Sequence, residues 1–278
     1  MCCIIVGDVI RVLGEGGPIC GVASLRNRFY VLRGNVSSHE IEVYNNDTYD
    51  LLRHIDVPEL GYASDIAVSA RHNCAYVADM PSHSVHRVML SGNAATEWCV
   101  GDVPSCLSLT SNHNVLVTCQ SVAMIKEFST VGDLLREIDL QSDIVSPWHS
   151  VQLSSGDFLT CHGDPGEQLH RVCLVNASGS VVNSFGELPY SGTEVMNTPS
   201  HMAVWGNEYV FVIDRSNSRV VLLSPELVYV REVISRDGLG WRPFKLSLDG
   251  KRDRLYVAVN ERNKRGQFAA GRIVVVDV

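Results

Sequence analysis

The chain has 278 residues, with 31 acidic against 23 basic side chains and a formal net charge of −8. That balance argues against whole-surface attraction to nucleic acid or to an anionic membrane, while leaving room for a local basic patch. No apolar run approaches the ~20 residues of a membrane helix, and Met1-Cys-Cys-Ile-Ile-Val6 lacks the basic start and apolar length of a secretory signal.

In chain order the sequence reads as a succession of short β-strands. Val9-Ile-Arg-Val-Leu-Gly-Glu15 matches the strand end Val182-Asn-Ser-Phe-Gly-Glu187 of a later unit, so residues 4–14 are expected to serve as an outer strand. A first strand then recurs six times: Pro18-Ile-Cys-Gly-Val-Ala23, Ala63-Ser-Asp-Ile-Ala-Val68, Pro104-Ser-Cys-Leu-Ser-Leu109, Pro147-Trp-His-Ser-Val-Gln152, Pro199-Ser-His-Met-Ala-Val204 and Pro243-Phe-Lys-Leu-Ser-Leu248. Marks at 18, 63, 104, 147, 199 and 243 give spacings of 45, 41, 43, 52 and 44 residues. A second strand follows each at a similar offset, for example Phe29-Tyr-Val-Leu32, Ala75-Tyr-Val-Ala78 and Leu255-Tyr-Val-Ala258. The fifth unit is the clearest, with strands at 201–204, 209–213, 219–223 and 228–234 bounded by turn formers.

Four short strands per 40–50 residues cannot bury both faces of one sheet, so each unit needs a neighbour on either side. The fold expected is an all-β, six-bladed propeller of four-stranded antiparallel blades forming a single domain over residues 1–278. Its blades run at about 18–57, 62–100, 103–140, 146–186, 198–234 and 241–278. The last unit stops at a third strand, Arg272-Ile-Val-Val-Val-Asp-Val278. The closing strand 4–14 would complete it and hide the open edges. Nine cysteines without a repeated spacing, mostly inside strands, read as buried reduced thiols in a cytoplasmic protein.

The pattern Pro-x-x-[Met/Leu]-[Ala/Ser]-[Val/Leu], followed by Val210-Phe-Val-Ile-Asp214 with Asn217, Arg219 and Val220, resembles the NHL repeat. The nearest resemblance is to the NHL propellers at the C-terminus of metazoan tripartite-motif proteins. It implies the same six-bladed fold, and for some members RNA binding by one face; the scaffold alone does not specify a function. Asp214 and Arg219 are expected to pair across their loop. Asp79 lacks its arginine (Ser84 stands there), and Arg171 and Arg272 lack their aspartate, replaced by His162 and Val259.

The starts of first strands and the ends of second strands open on one face. The third position of each first strand, Cys20, Asp65, Cys106, His149, His201 and Lys245, is expected at the channel mouth. Asp65, His149 and His201 form a metal-ligand candidate set of the three-ligand kind, against which stands a plain hydrogen-bonded tunnel lining. No phosphate-loop, nucleophile-elbow or zinc-protease motif is present, so neither an enzyme nor a cofactor is expected. Arg33, Arg215, Arg236, Arg242, Lys245, Arg262, Lys264 and Arg265, with Trp241 and Phe268 interleaved, make a basic sector of the last two blades and the first. Asp79, Asp102, Asp143, Asp164 and Glu167 lie opposite. The resulting expectation is a monomeric, non-catalytic platform for a protein partner. Single-stranded RNA on the basic sector is the alternative, and a metal-dependent lyase or hydrolase the third reading.

Overall fold

The computed structural model of the chain describes residues 7–34, 39–57, 59–92, 94–167, 169–186, 195–263 and 265–278. Six four-stranded antiparallel sheets are present, and in five of them the strands run in sequence order from inner to outer. The inner strands are Ile19–Leu25, Ala63–Ser69, Pro104–Leu109, Pro147–Gln152, Pro199–Trp205 and Arg242–Asp249. The outer strand of the sixth blade is supplied by Asp8–Gly16, which pairs with Phe268–Asp277 through Val9↔Val276 and Leu13↔Ile273. The expected ring closure is therefore observed. Residues 4–6 of the expected closing strand lie outside the described residues. None of the described helices is long and apolar enough to cross a membrane.

The ring is held at its seams. Each of the six buried apolar clusters among the described residues joins two neighbouring blades. The pleat explains this: side chains alternate between the two sheet faces, and each face meets the next blade. At the seam between the last and first blades, Phe29 stacks between Tyr44 and Tyr256 at 4.8 and 4.4 Å between ring centres. The Asn260 side chain bonds both backbone groups of Ile19, accepting its N–H at 2.9 Å and donating to its carbonyl at 2.8 Å.

Arg33 belongs to this same seam. Its guanidinium is buried, pairs with Glu42 at 2.8 Å and donates to the carbonyls of Gly14, Gly17 and Gly271. It is thus a structural clamp on the closing strand, not a loop arginine of the basic sector.

Every inner strand carries a bulge within two residues of its start. The bulged residues are Cys20, Ser64, Ser105, Trp148, Ser200 and Phe244, and the next residue resumes the register: Gly21, Asp65, Cys106, His149, His201 and Lys245. This corrects one expectation. The position equivalent to Asp65 in the first blade is Gly21, not Cys20, because Ile19 and not Pro18 pairs with the end of the second strand, Arg33. A Cβ on Gly21 would stand 2.7 Å from Ile66 Cγ2 and 2.8 Å from the Ile66 nitrogen, so the approach of the second blade excludes a side chain there.

Two connections carry regular structure of their own. The segment 260–270 is not a long loop: pairing continues through Asn260↔Gly271, Glu261↔Ala270 and Arg262↔Phe268, leaving a turn in which Asn263 Oδ1 accepts from the Arg265 and Gln267 amides. The connection before the last blade contains a short helix, Arg236–Leu239, with Leu239 buried beneath it.

Candidate functional site

Inner strands begin, and second strands end, on what is here called the upper face. Proline or its substitute pairs there with Asp79, Cys119, His162 and Asp214 in blades two to five. Asp214 fixes the incoming loop: Arg219 Nε and Asn217 Nδ2 donate to it at 2.8 Å each, as does the Asn197 amide. The incomplete pairs are completed by other groups. Asp79 accepts from the amides of Gly61 and Tyr62. Arg171 reaches Asp143 at 2.7 Å and donates to His162, while Arg272 lies over the Trp241 ring at 4.2 Å.

Just below this face, the register residues meet at the axis. Lys245, from the sixth blade, reaches across the ring to the third, where it donates to Cys106 Sγ at 2.7 Å, and its ammonium lies 3.2 Å from Asp65 Oδ1. Asp65 Oδ2 accepts from the Leu107 amide at 2.9 Å and lies 3.5 Å from His201 Nε2. His149 lies flat on His201, with ring centres 3.9 Å apart and planes 7° from parallel, and its Nδ1 accepts from the Met202 amide. All five side chains are buried, so Lys245 is a crossbar in the channel and not a rim residue.

The charges follow from the contacts. Burial alone would raise the Asp65 carboxyl, but the neighbouring Lys245 ammonium, aided by His201 and His149, holds it well below its ordinary range. Burial would lower Lys245, yet Asp65 and Cys106 outweigh it and raise its pKa. Burial, and the presence of each other and Lys245, lowers His149 well below the ordinary value; His201 is lowered by burial against the opposing pull of Asp65. Burial pushes the Cys106 thiol up to about 12 despite Lys245. The cluster is one ion pair flanked by two neutral imidazoles.

Ligand atoms of Asp65, His149 and His201 do lie within 4.8 Å of one another, as the sequence suggested for a metal. Their orientation suits an ion poorly. A metal-bound imidazole directs its in-plane lone pair at the ion, and two parallel stacked rings cannot both do so at one point. The Lys245 ammonium already supplies the positive charge beside Asp65.

Above the axis the bulges create a different site. They carry small residues in four blades and aromatic ones in the fourth and sixth, Trp148 and Phe244. Between these two rings lies Arg215, from the loop after the second strand of the fifth blade. Its guanidinium carbon is 5.4 Å from the Trp148 ring centre and 5.1 Å from that of Phe244. Among the described residues the Arg215 guanidinium has no carboxylate partner, and burial, with Arg262 and Arg242 nearby, pulls its pKa down to about 10. Phe268 packs against Phe244 at 5.5 Å, and Arg262 lies over Phe268 at 4.8 Å. Tyr62, 49% exposed, adds a fourth ring from the second blade; its phenol is raised chiefly by burial and lowered in part by Arg215 and Arg262.

The structure thus brings Arg215, Arg242 and Arg262 together, leaves Arg236 and Arg265 exposed on the short helix and the terminal turn, and takes Arg33 and Lys245 into the interior. Trp241 is covered by Arg272. Lys264 lies outside the described residues. Trp148, Phe244 and Tyr62 were missed as site residues; for the first two the available signal was a bulky aromatic at a repeat position held by serine in three other blades.

No protein-family model matches the chain, and no curated protein matches it in sequence. Its backbone is similar to solved structures. Hydrazine synthase of Kuenenia stuttgartiensis aligns at TM-score 0.62 and 16% identity, over 91% of this chain and 95% of that one. A catalytically inactive virginiamycin B lyase from Staphylococcus aureus, with quinupristin, aligns at 0.62 and 11%, over 91% and 83%. The WD40 β-propeller domain of Doa1 aligns at 0.62 and 12%, over 96% of each chain. At such identities the likeness shows the fold alone: the chain is a six-bladed β-propeller, similar in backbone to enzymes and to a WD40 domain alike.

Proposed function

We propose that this NHL-type propeller is a non-catalytic binding module that holds an acidic segment of a protein partner on its upper face. The observation that carries the reading is Arg215, a guanidinium oriented between Trp148 and Phe244 with no carboxylate of its own among the described residues. Two aromatic faces hold a cation in place for roughly 0.5–1 kcal/mol each, while its N–H fork still needs acceptors. A partner carboxylate would complete it as a charge-assisted pair worth about 1.5–3 kcal/mol. Arginine, tryptophan and tyrosine are also the residue types that dominate binding energy at protein interfaces.

RNA is the second reading, supported by Arg262 over Phe268 and by the exposed Arg242 and Arg265. The net charge of −8 favours a short acidic segment over a long polyphosphate, whose whole length meets the protein's negative field. The test is fluorescence anisotropy with a labelled glutamate-rich peptide and a labelled oligouridine, each at two salt concentrations. Peptide binding reduced about tenfold or more by Arg215→Ala supports the reading. Oligouridine affinity that falls steeply with salt, without peptide binding, would replace it with the RNA reading.

A further inference from the structure

The crossbar at the axis closes one end of the channel, and the space left on the other side has the form of a pocket. A cavity of about 510 Å³ opens among the turns of the lower face, between Trp205 and Gly206 on one side and Gly250 on the other. Its walls are the lower halves of all six blades' inner strands, including Ile66, Val68, Leu109, Val151, Val204 and Leu248, and its floor is formed by His149 and His201. The volume falls within the roughly 300–1,000 Å³ of small-molecule sites, which combine apolar walls with a few convergent polar groups.

The polar groups are specific. Ser247 Oγ accepts from the Ser24 amide at 2.8 Å, and Ser24 Oγ accepts from Asn46 Nδ2 at 3.4 Å. Both serines line the cavity, and among the described residues neither hydroxyl finds an acceptor for its own proton. At the floor His201 Nδ1 is buried without a hydrogen-bond partner, while Nε2 faces Asp65 Oδ2 at 3.5 Å. The floor carries no net charge, since Lys245 and Asp65 neutralise each other. A charged ligand head would enter uncompensated, at a cost that an apolar wall cannot return. The available donors call for an oxygen acceptor.

We infer that the lower half of the channel is a binding site for an uncharged, mostly apolar small molecule bearing one acceptor oxygen, a ketone, ester or ether, directed at Ser24 and Ser247. The site is separate from the upper face and independent of what binds there. Its entrance is marked by Trp205, whose indole Nε1 is held by Asp253 at 3.1 Å and whose ring lies against Phe211.

The probe is prodan, a neutral naphthalene with a single ketone whose emission shifts to the blue in apolar surroundings. Titrated into the full chain, it should give a saturable one-to-one blue shift, with energy transfer from Trp205 that is reduced in Trp205→Phe while binding persists. Val68→Phe and Val151→Phe each fill the lumen from a different blade and should weaken binding about tenfold or more, the equivalent of ~1.4 kcal/mol. Ser24→Ala should weaken it less, and Arg215→Glu should leave it unchanged. A channel that holds only water would give no saturable shift, which overturns the inference. So would binding that survives both filled variants, or energy transfer unaltered in Trp205→Phe, a reading that needs no filled variant to fold.

Discussion

Lys245→Met tests the axial crossbar most directly. The substitution keeps the length and apolar stem of the side chain but removes the cation 3.2 Å from Asp65 Oδ1. Asp65 is 1% exposed and cannot turn to solvent. Removing one partner of a buried pair leaves an uncompensated charge, at a cost of about 3–5 kcal/mol. At roughly 2–3 °C per kcal/mol for a chain of this size, the melting temperature at pH 7 should fall by about 6–15 °C. The pH dependence carries the sign. In the native protein Asp65 is held below its ordinary value, so its contribution is present above the unfolded carboxyl pKa of ~3.9 and is lost only in stronger acid. In the variant, burial is opposed only by the Leu107 amide and the neighbouring imidazoles and raises the same carboxyl, so the charged form is penalised most at neutral pH. The difference between variant and native protein should therefore shrink from pH 7 to pH 5. His149 and His201, both lowered in the folded state, destabilise each protein as the pH falls, which is why the difference is the quantity read. Lys245→Met with Asp65→Leu should recover much of the loss. A deficit equal at both pH values, or a double variant no better than the single, would refute the account.

Arg33→Ala removes the clamp on the carbonyls of Gly14, Gly17 and Gly271 and leaves Glu42 partly buried. It should cost about 3–5 kcal/mol and speed amide exchange in residues 8–16, measured by hydrogen–deuterium exchange. Gly21→Ala forces a contact at 2.7 Å with Ile66 and should lower stability by about 1–3 kcal/mol in urea denaturation. Native labelling with iodoacetamide at pH 8 should leave the Cys106 side chain unmodified and modify Cys99, which is exposed, the two being assigned by fragmentation. Elemental analysis of the purified protein should show no stoichiometric zinc, and His149→Ala should leave that result unchanged.

The repeat was legible because strands and their turns are local: a proline, a run of β-branched residues and a turn recur whatever the rest of the chain does. The same local mark failed by one residue in the first blade, where Pro18 stands before the strand and Ile19 takes the pairing position. Period-two alternation turns a one-residue slip into the opposite face, so Cys20 was placed where Gly21 stands. Contacts across the axis were beyond reach for another reason. Lys245 meets Cys106, 139 residues away, only because the ring closes and a bulge turns both side chains inward. Arg33 carried the same charge in the sequence as Arg262, and only the arrival of the closing strand distinguishes a clamp from a surface arginine. The Arg215 site combined both difficulties, since its two rings come from bulges in blades on either side.

Pairing of Asp8–Gly16 with Phe268–Asp277 also sets the order in which the protein can be finished during synthesis. Five blades are local in sequence and can form as each emerges from the ribosome. The sixth cannot. Its outer strand is made before the other five blades and its third strand after them, so residues 8–16 wait, while all that lies between is synthesised, with their pairing edge open. Until then Tyr256 and Ile273 have not reached Phe29 and Leu13 to seal the last seam. The hazard during synthesis is thus concentrated in this one strand, where Val9, Ile10 and Val12 invite any other strand to take the place of the right one.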